Sequence, residues 1–269
     1  MIDRYDWSGG TEAMLRFGPA TGPVVVLALP PFEEANRTRT LMVSVLRRLA
    51  DTGIAGALPD LPGQGESLIR TEDATLANWR AAFAACAAML PGPRFAASVR
   101  GGALFDGEAD VQARWSLSPQ TGAELCRELH RTARSAGTGP LRSMQPVPAG
   151  SRIPAQAGIQ GQAEQPSAEH RYLGLLPVQE HDNGIGEGPA EASVEVAGNR
   201  ISARLLDSLA EADTGTPDRV VRLESDARAA DRRLAFAPPW RRAAPDADPL
   251  LAQALAGDIA EWVRTWPAA

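Results

Sequence analysis

The segment Ser98-Val99-Arg100-Gly101-Gly102 has the spacing of a nucleophile elbow, with an arginine where the reactive side chain belongs. In the G-x-S-x-G pattern, small residues flank one side chain held on a strained turn between a strand and a helix. Here Phe95-Ala96-Ala97 supplies the strand end, Ser98 the first small position, Gly102 the last, and Arg100 stands between them. A guanidinium stays protonated in proteins and cannot attack a carbonyl at neutral pH. Ser98 is the nearest hydroxyl, but an elbow centred on it places Ala96 and the bulky Arg100 where small residues are needed. Ser98 therefore stands as an alternative nucleophile, against the plainer role of a small residue that lets the turn pack.

An acyl-transfer site also needs a base, an acid that orients it and an oxyanion hole. Histidine occurs at 130, 170 and 181, and none follows His181, so the distal base is missing. Asp226, just after the apolar run Arg219–Leu223, stands where a carboxylate would be carried; its alternative is a helix cap in Glu224-Ser225-Asp226-Ala227. Binding chemistry survives better. Backbone N–H groups at the start of the expected elbow helix, from Gly101 onward, with Arg100 beside them, form an anion site. Arg37 and Phe32 from the loop 30–39 complete it, and a small anionic or acyl ligand fits such a site. Arg100 equally well pairs with Glu33, Glu34 or Asp226 and fills the space. Both roles stay open at the level of sequence.

These residues must be positioned by an α/β scaffold. Val24-Val25-Val26-Leu27-Ala28-Leu29 is a continuous apolar run ended by Pro30-Pro31, as a parallel strand buried on both faces reads. Strands are predicted near 24–29, 54–58, 95–99, 111–117 and 219–223, after a hairpin over 4–18 that turns at Ser8-Gly9-Gly10. Helices are predicted at 38–51, 75–90, 121–134, 200–211 and 248–266, the last opened by Asp248-Pro249, an N-cap followed by proline at N1. Strands alternating with helices imply a doubly wound, mostly parallel sheet. Arg228, Arg232 and Arg233, interleaved with Asp226 and Asp231, read as a solvated helix face.

Between 138 and 192 glycine and proline rise, and Trp and Phe disappear. Ser151-Arg152-Ile153-Pro154-Ala155-Gln156-Ala157-Gly158-Ile159-Gln160 resembles a translated bacterial intergenic repeat. The expected organisation is one domain from 1–137 and 193–269, interrupted by a low-order insertion at 138–192 that holds His170 and His181.

Composition narrows the classes. A formal charge of −6 with pI near 5.2 disfavours a nucleic-acid binder, although all 27 basic residues are arginine. Cys86 and Cys126 sit in separate helical segments without metal-ligand spacing, so no metal is expected and reduced, buried thiols are. Gly63-Gln64-Gly65-Glu66-Ser67 lacks the lysine of a P-loop and the spacing of a dinucleotide fingerprint, so no cofactor is expected. Without a secretory n-region and h-region or a long apolar run, the expected location is the cytoplasm, with no membrane span.

Four segments carry a resemblance to α/β-hydrolase-fold proteins. They are Pro30-Pro31-Phe32-Glu33-Glu34-Ala35-Asn36-Arg37, Asp60-Leu61-Pro62-Gly63-Gln64-Gly65-Glu66-Ser67, Ser98-Val99-Arg100-Gly101-Gly102-Ala103 and Pro238-Pro239-Trp240. Together they resemble the exosortase A system-associated hydrolases, particularly the type-2 group, over 20–134 and more loosely over 193–266. The resemblance implies an α/β-hydrolase fold in a gene linked to bacterial exopolysaccharide production and surface-protein sorting, with partners in that system. Added to the degenerate triad, it gives a non-catalytic binding or accessory protein as the expected function. The alternative is an active esterase or thioesterase that uses Ser98 or another residue.

Overall fold

A computed structural model of the chain describes residues 1–135, 193–242, 244–245 and 247–266. The expected insertion at 138–192, with His170 and His181, lies outside the described residues.

The chain opens with the hairpin β1 (Ile2–Trp7) and β2 (Gly10–Phe17), turning where the Gly9-Gly10 pair was expected to turn it. Then come β3 (Val24–Ala28), β4 (Ala55–Pro59), β5 (Arg94–Val99), β6 (Ala113–Leu117), β9 (Arg219–Leu223) and β10 (Arg232–Leu234). With the hairpin they form one eight-stranded sheet in the order β1-β2-β4-β3-β5-β6-β9-β10. The β1–β2 and β2–β4 pairs are antiparallel, and every pair from β4 to β10 is parallel. This is the doubly wound, mostly parallel sheet that the sequence implies.

Alternation along β3 sends Val24, Val26 and Ala28 to one core and Val25 and Leu27 to the other. One face is covered by α1 (Glu33–Asp51) and α5 (Pro249–Thr265), the other by α2 (Leu76–Met89), α3 (Gly122–Ser135) and α4 (Ala203–Ala210). A small hairpin, β7 (Ser193–Val196) and β8 (Asn199–Ser202), packs beside α3. Cys86 and Cys126 are buried and unpaired, and burial pushes the Cys86 thiol up to about 12.

Four expectations are corrected. Helix α1 begins at Glu33 and not at 38, because Phe32, at φ 60, turns the chain straight into the helix and Glu33 and Glu34 suit its positive end. The helix expected from 200 is preceded by β8, and Ser202 caps α4 through a 3.1 Å bond from the Leu205 N–H. Arg232 and Arg233 lie on β10, not on a helix face. Finally, the elbow leads into short 3₁₀ turns at Arg100–Leu104 and Asp106–Glu108 and not into an α-helix. Gly101, Gly102 and Gly107 are poor helix formers, and β6 follows within a few residues.

Candidate functional site

The chain reverses the direction of sheet growth after β4, and ligands of open α/β sheets bind at the carboxyl ends of the strands beside such a switch point. Arg100 stands there. It follows β5 directly, at φ 52, a left-handed conformation that costs an L-residue about 1–2 kcal/mol. Gly102 must be glycine, since a Cβ would collide with the Ala28 carbonyl at the end of β3. The tight turn expected of an elbow is present, with arginine at its apex.

That arginine is held from several sides and is 7% exposed. Its Nε donates to Glu34 Oε2 at 3.1 Å, and its Nη2 donates to Glu128 Oε2. The guanidinium carbon lies 4.7 Å from the centre of the Trp240 ring, a cation–π distance. Gln120 steadies the arrangement: its Nε2 donates to Glu128 at 2.6 Å, and its backbone N–H donates to the Arg100 carbonyl. Burial holds the Glu34 carboxyl above its ordinary range, and Arg100 pulls against that shift. Nearby, Ser118 Oγ and Gln120 Oε1 are buried without hydrogen-bond partners among the described residues.

The other expected site residues scatter. Ser98 is 0% exposed, its hydroxyl 2.8 Å from Ser116 Oγ, so it stands between strands with no surface toward the cleft. Gly101 packs under Pro31 and Leu125. Phe32 is buried edge-on against Trp79, at 5.8 Å between ring centres. Arg37 turns to Glu33 and to the Trp240 carbonyl, at 3.1 Å for the latter, and makes no bond to the elbow. Phe32 and Arg37 line a small cavity of about 100 Å³ beside the Arg100 ion pairs. Asp226 caps no helix; hydrogen bonds from Arg228 and Arg222 hold its carboxyl well below the usual range despite partial burial. The anion site expected at an elbow helix lacks its α-helix, since only a five-residue 3₁₀ turn follows Arg100.

His130 is the histidine among the described residues. It is half-buried on α3, two residues beyond Glu128 and therefore on the opposite side of the helix from Arg100. The Asp60–Ser67 loop braces itself: Asp60 accepts from Arg39 at 2.9 Å and from the Glu66 N–H, while Ser67 accepts from the Gly63 N–H. A Cβ on Gly65 would strike the Asp60 carboxylate.

Sequence reasoning named Glu34 among the possible partners of Arg100 but missed Glu128, Gln120 and the Trp240 stacking. Above Arg100 lies an open cleft of about 690 Å³, to which α3 contributes Arg127, Arg131 and Arg134. The i, i+4, i+7 spacing of those arginines was the readable signal for it.

No family model matches the sequence, and no curated protein matches it. Among solved structures, the esterase Est1E of Butyrivibrio proteoclasticus, with ferulic acid bound, aligns over 97% of this chain and 99% of its own, at 15% identity and TM-score 0.54. A protein of Agrobacterium vitis S4 described as a hydrolase aligns over 96% of both chains, at 13% identity and TM-score 0.51. An epoxide hydrolase of Vigna radiata shares 22% identity over 44% of this chain and 39% of its own length, at TM-score 0.35. The two full-length matches give the chain the α/β-hydrolase fold. No helix among the described residues is long and apolar enough to cross a membrane.

Proposed function

We propose that this α/β-hydrolase-fold protein is a non-catalytic binding or accessory component of exosortase-linked surface-polysaccharide or protein-sorting machinery. One observation carries the first half: the apex of the elbow holds a guanidinium fixed between Glu34 and Glu128 over Trp240, where acyl transfer needs a nucleophile. The second half is supported by physical linkage between the segments that carry the resemblance. Glu34 belongs to the Pro-Pro-Phe-Glu-Glu segment and Trp240 to Pro238-Pro239-Trp240, and both meet the arginine of the elbow. Three of the four segments that resemble one family in sequence here meet at one arginine.

The competing reading is an esterase or thioesterase. Ser118, a hydroxyl without a partner at φ 47 just after β6, is its other candidate, although it is as fully buried as Ser98. The test compares the wild type with Ser98→Ala, Ser118→Ala and Arg100→Ala on p-nitrophenyl esters and acyl thioesters. With nucleophile and base gone, and no α-helix behind the elbow to form an oxyanion hole, the expected rates lie below the residual of about 10³–10⁴-fold over water that an intact oxyanion hole gives, and are alike in all four proteins. Robust turnover abolished by Ser98→Ala or Ser118→Ala alone overturns the non-catalytic reading. For the accessory role, deleting the gene in its host is expected to lower surface polysaccharide or impair protein sorting, and unchanged output of both counts against it.

A further inference from the structure

The cleft above the elbow is strongly cationic in a chain of formal charge −6. Six arginines line it, at 100, 127, 131, 134, 228 and 241, against two carboxylates, Glu124 and Glu128. Both carboxylates are occupied: Glu128 holds Arg100, and Glu124 holds Arg228, which also binds Asp226. The side chains of Arg127, Arg134 and Arg241 have no hydrogen-bond or ion-pair partner among the described residues. Arg127 and Arg134 are two turns apart on one stripe of α3, about 10 Å at 1.5 Å per residue. Arg241 reaches the same cleft from the turn after Pro239.

Like charges gathered in a concavity repel one another and focus the field on whatever enters. Unmatched guanidinium forks offer paired donors to phosphate or carboxylate oxygens. A single carboxylate meets one fork and leaves the others unmatched, whereas a diphosphate presents several charged oxygens within reach of more than one. The floor of the cleft is polar as well. Gln120 is 4% exposed, lines the cleft, and keeps its Oε1 without a partner while its amide nitrogen is engaged by Glu128. That oxygen is buried beneath the arginines, so the direct contacts to a ligand come from the guanidinium forks.

We propose that the arginine cleft over the elbow is a binding site for a small molecule bearing a diphosphate group. This keeps the binding role proposed above and adds the chemical class of the ligand.

Isothermal titration calorimetry of the full-length protein with inorganic pyrophosphate, orthophosphate and citrate tests it, alongside an Arg127→Ala/Arg241→Ala double variant. Both residues are exposed, so an unchanged melting temperature without ligand shows that the variant folds normally. Pyrophosphate is expected to bind saturably, about tenfold or more tighter than orthophosphate, and to lose about tenfold or more in the double variant. No saturable binding, pyrophosphate binding that survives the double substitution, or citrate binding more tightly than pyrophosphate overturns the assignment. Ester turnover is read separately: an active esterase that still binds pyrophosphate keeps this site, and an inactive protein that ignores pyrophosphate loses this site alone.

Discussion

Two charge clusters at opposite ends of the same sheet invert each other. At the carboxyl ends of the strands one guanidinium, Arg100, lies between the carboxylates of Glu34 and Glu128. Toward the amino ends one carboxylate, Asp258 of α5, lies between the guanidiniums of Arg219 and Arg232. Asp258 is 0% exposed and its lone pairs are fully used. Oδ1 accepts from Arg219 at 2.7 Å and Arg232 at 2.8 Å; Oδ2 accepts from Arg219 at 2.9 Å and the Trp115 indole at 2.7 Å. The bonds tie α5 to β6, β9 and β10. Around Arg100 the accounting is incomplete: its backbone is left-handed, Gln120 and Ser118 keep unpartnered oxygens, and an arginine-lined cleft opens above. A closed account on relaxed backbone marks a joint of the fold. Strain and leftover polar capacity are what the ligand site proposed over the elbow rests on.

The sharpest way to break this contrast is to remove each centre in turn. Asp258→Ala strands two guanidiniums and an indole N–H at the seam between α5 and the sheet. Removing one partner of a buried ionic cluster costs about 3–5 kcal/mol, and the partly exposed arginines, which can recover some water, place the expected loss near the lower figure. Urea unfolding measures it. A loss below about 1 kcal/mol, in the range of surface ion pairs, would make the two clusters alike.

Arg100→Ala is expected to cost less, about 1–3 kcal/mol, the penalty of leaving a buried polar partner unsatisfied. Glu34 then faces Glu128 with only the more distant Arg37 as counter-charge, and its burial favours taking up a proton. Arg100→Gly removes the same contacts but relieves the left-handed φ, so it is expected to be more stable than Arg100→Ala by about 1 kcal/mol. Equal stabilities for the glycine and alanine variants, in paired urea titrations, would mean that the elbow stores no backbone strain.

Much of this scaffold is legible in sequence because buried parallel strands read as short apolar runs, and β9 matches its expected span, Arg219–Leu223. The polar first turns of α1 hide its start, because apolar periodicity begins only at Leu41. The strand β8 is lost against α4, since Ile201 fits either period, and β10 is too short and too charged to announce itself. The elbow's apex was readable from local spacing alone. Its partners were not: Glu128 is 28 residues from Arg100, and only the fold brings them together. Expecting Asp226 to be an acid or a cap overlooked Arg222 and Arg228, which lie beside it in sequence and claim it.

The smallest expected effect separates the two clusters by the sign of their proton linkage. Burial raises the Glu34 carboxyl above its ordinary value of 4.5, with Arg100 opposing. The folded state therefore holds a proton that the unfolded chain releases, and this contribution to stability, full below pH 4.5, is lost as pH rises through the folded value. Burial also pushes Asp258 upward, but hydrogen bonds from Arg219, Trp115 and Arg232 outweigh it and hold the carboxyl below its ordinary value of 3.8. Its contribution is present above that value and disappears as the solution is acidified. Glu34→Gln should therefore make the stability–pH curve less steeply descending above about pH 4.5, while Asp258→Asn should flatten the acid limb below about pH 4. Urea titrations of both variants at stepped pH read the two slopes. If Glu34→Gln leaves the neutral limb unchanged, the carboxylate beside Arg100 is as comfortable as Asp258, and the elbow is a structural joint like the other.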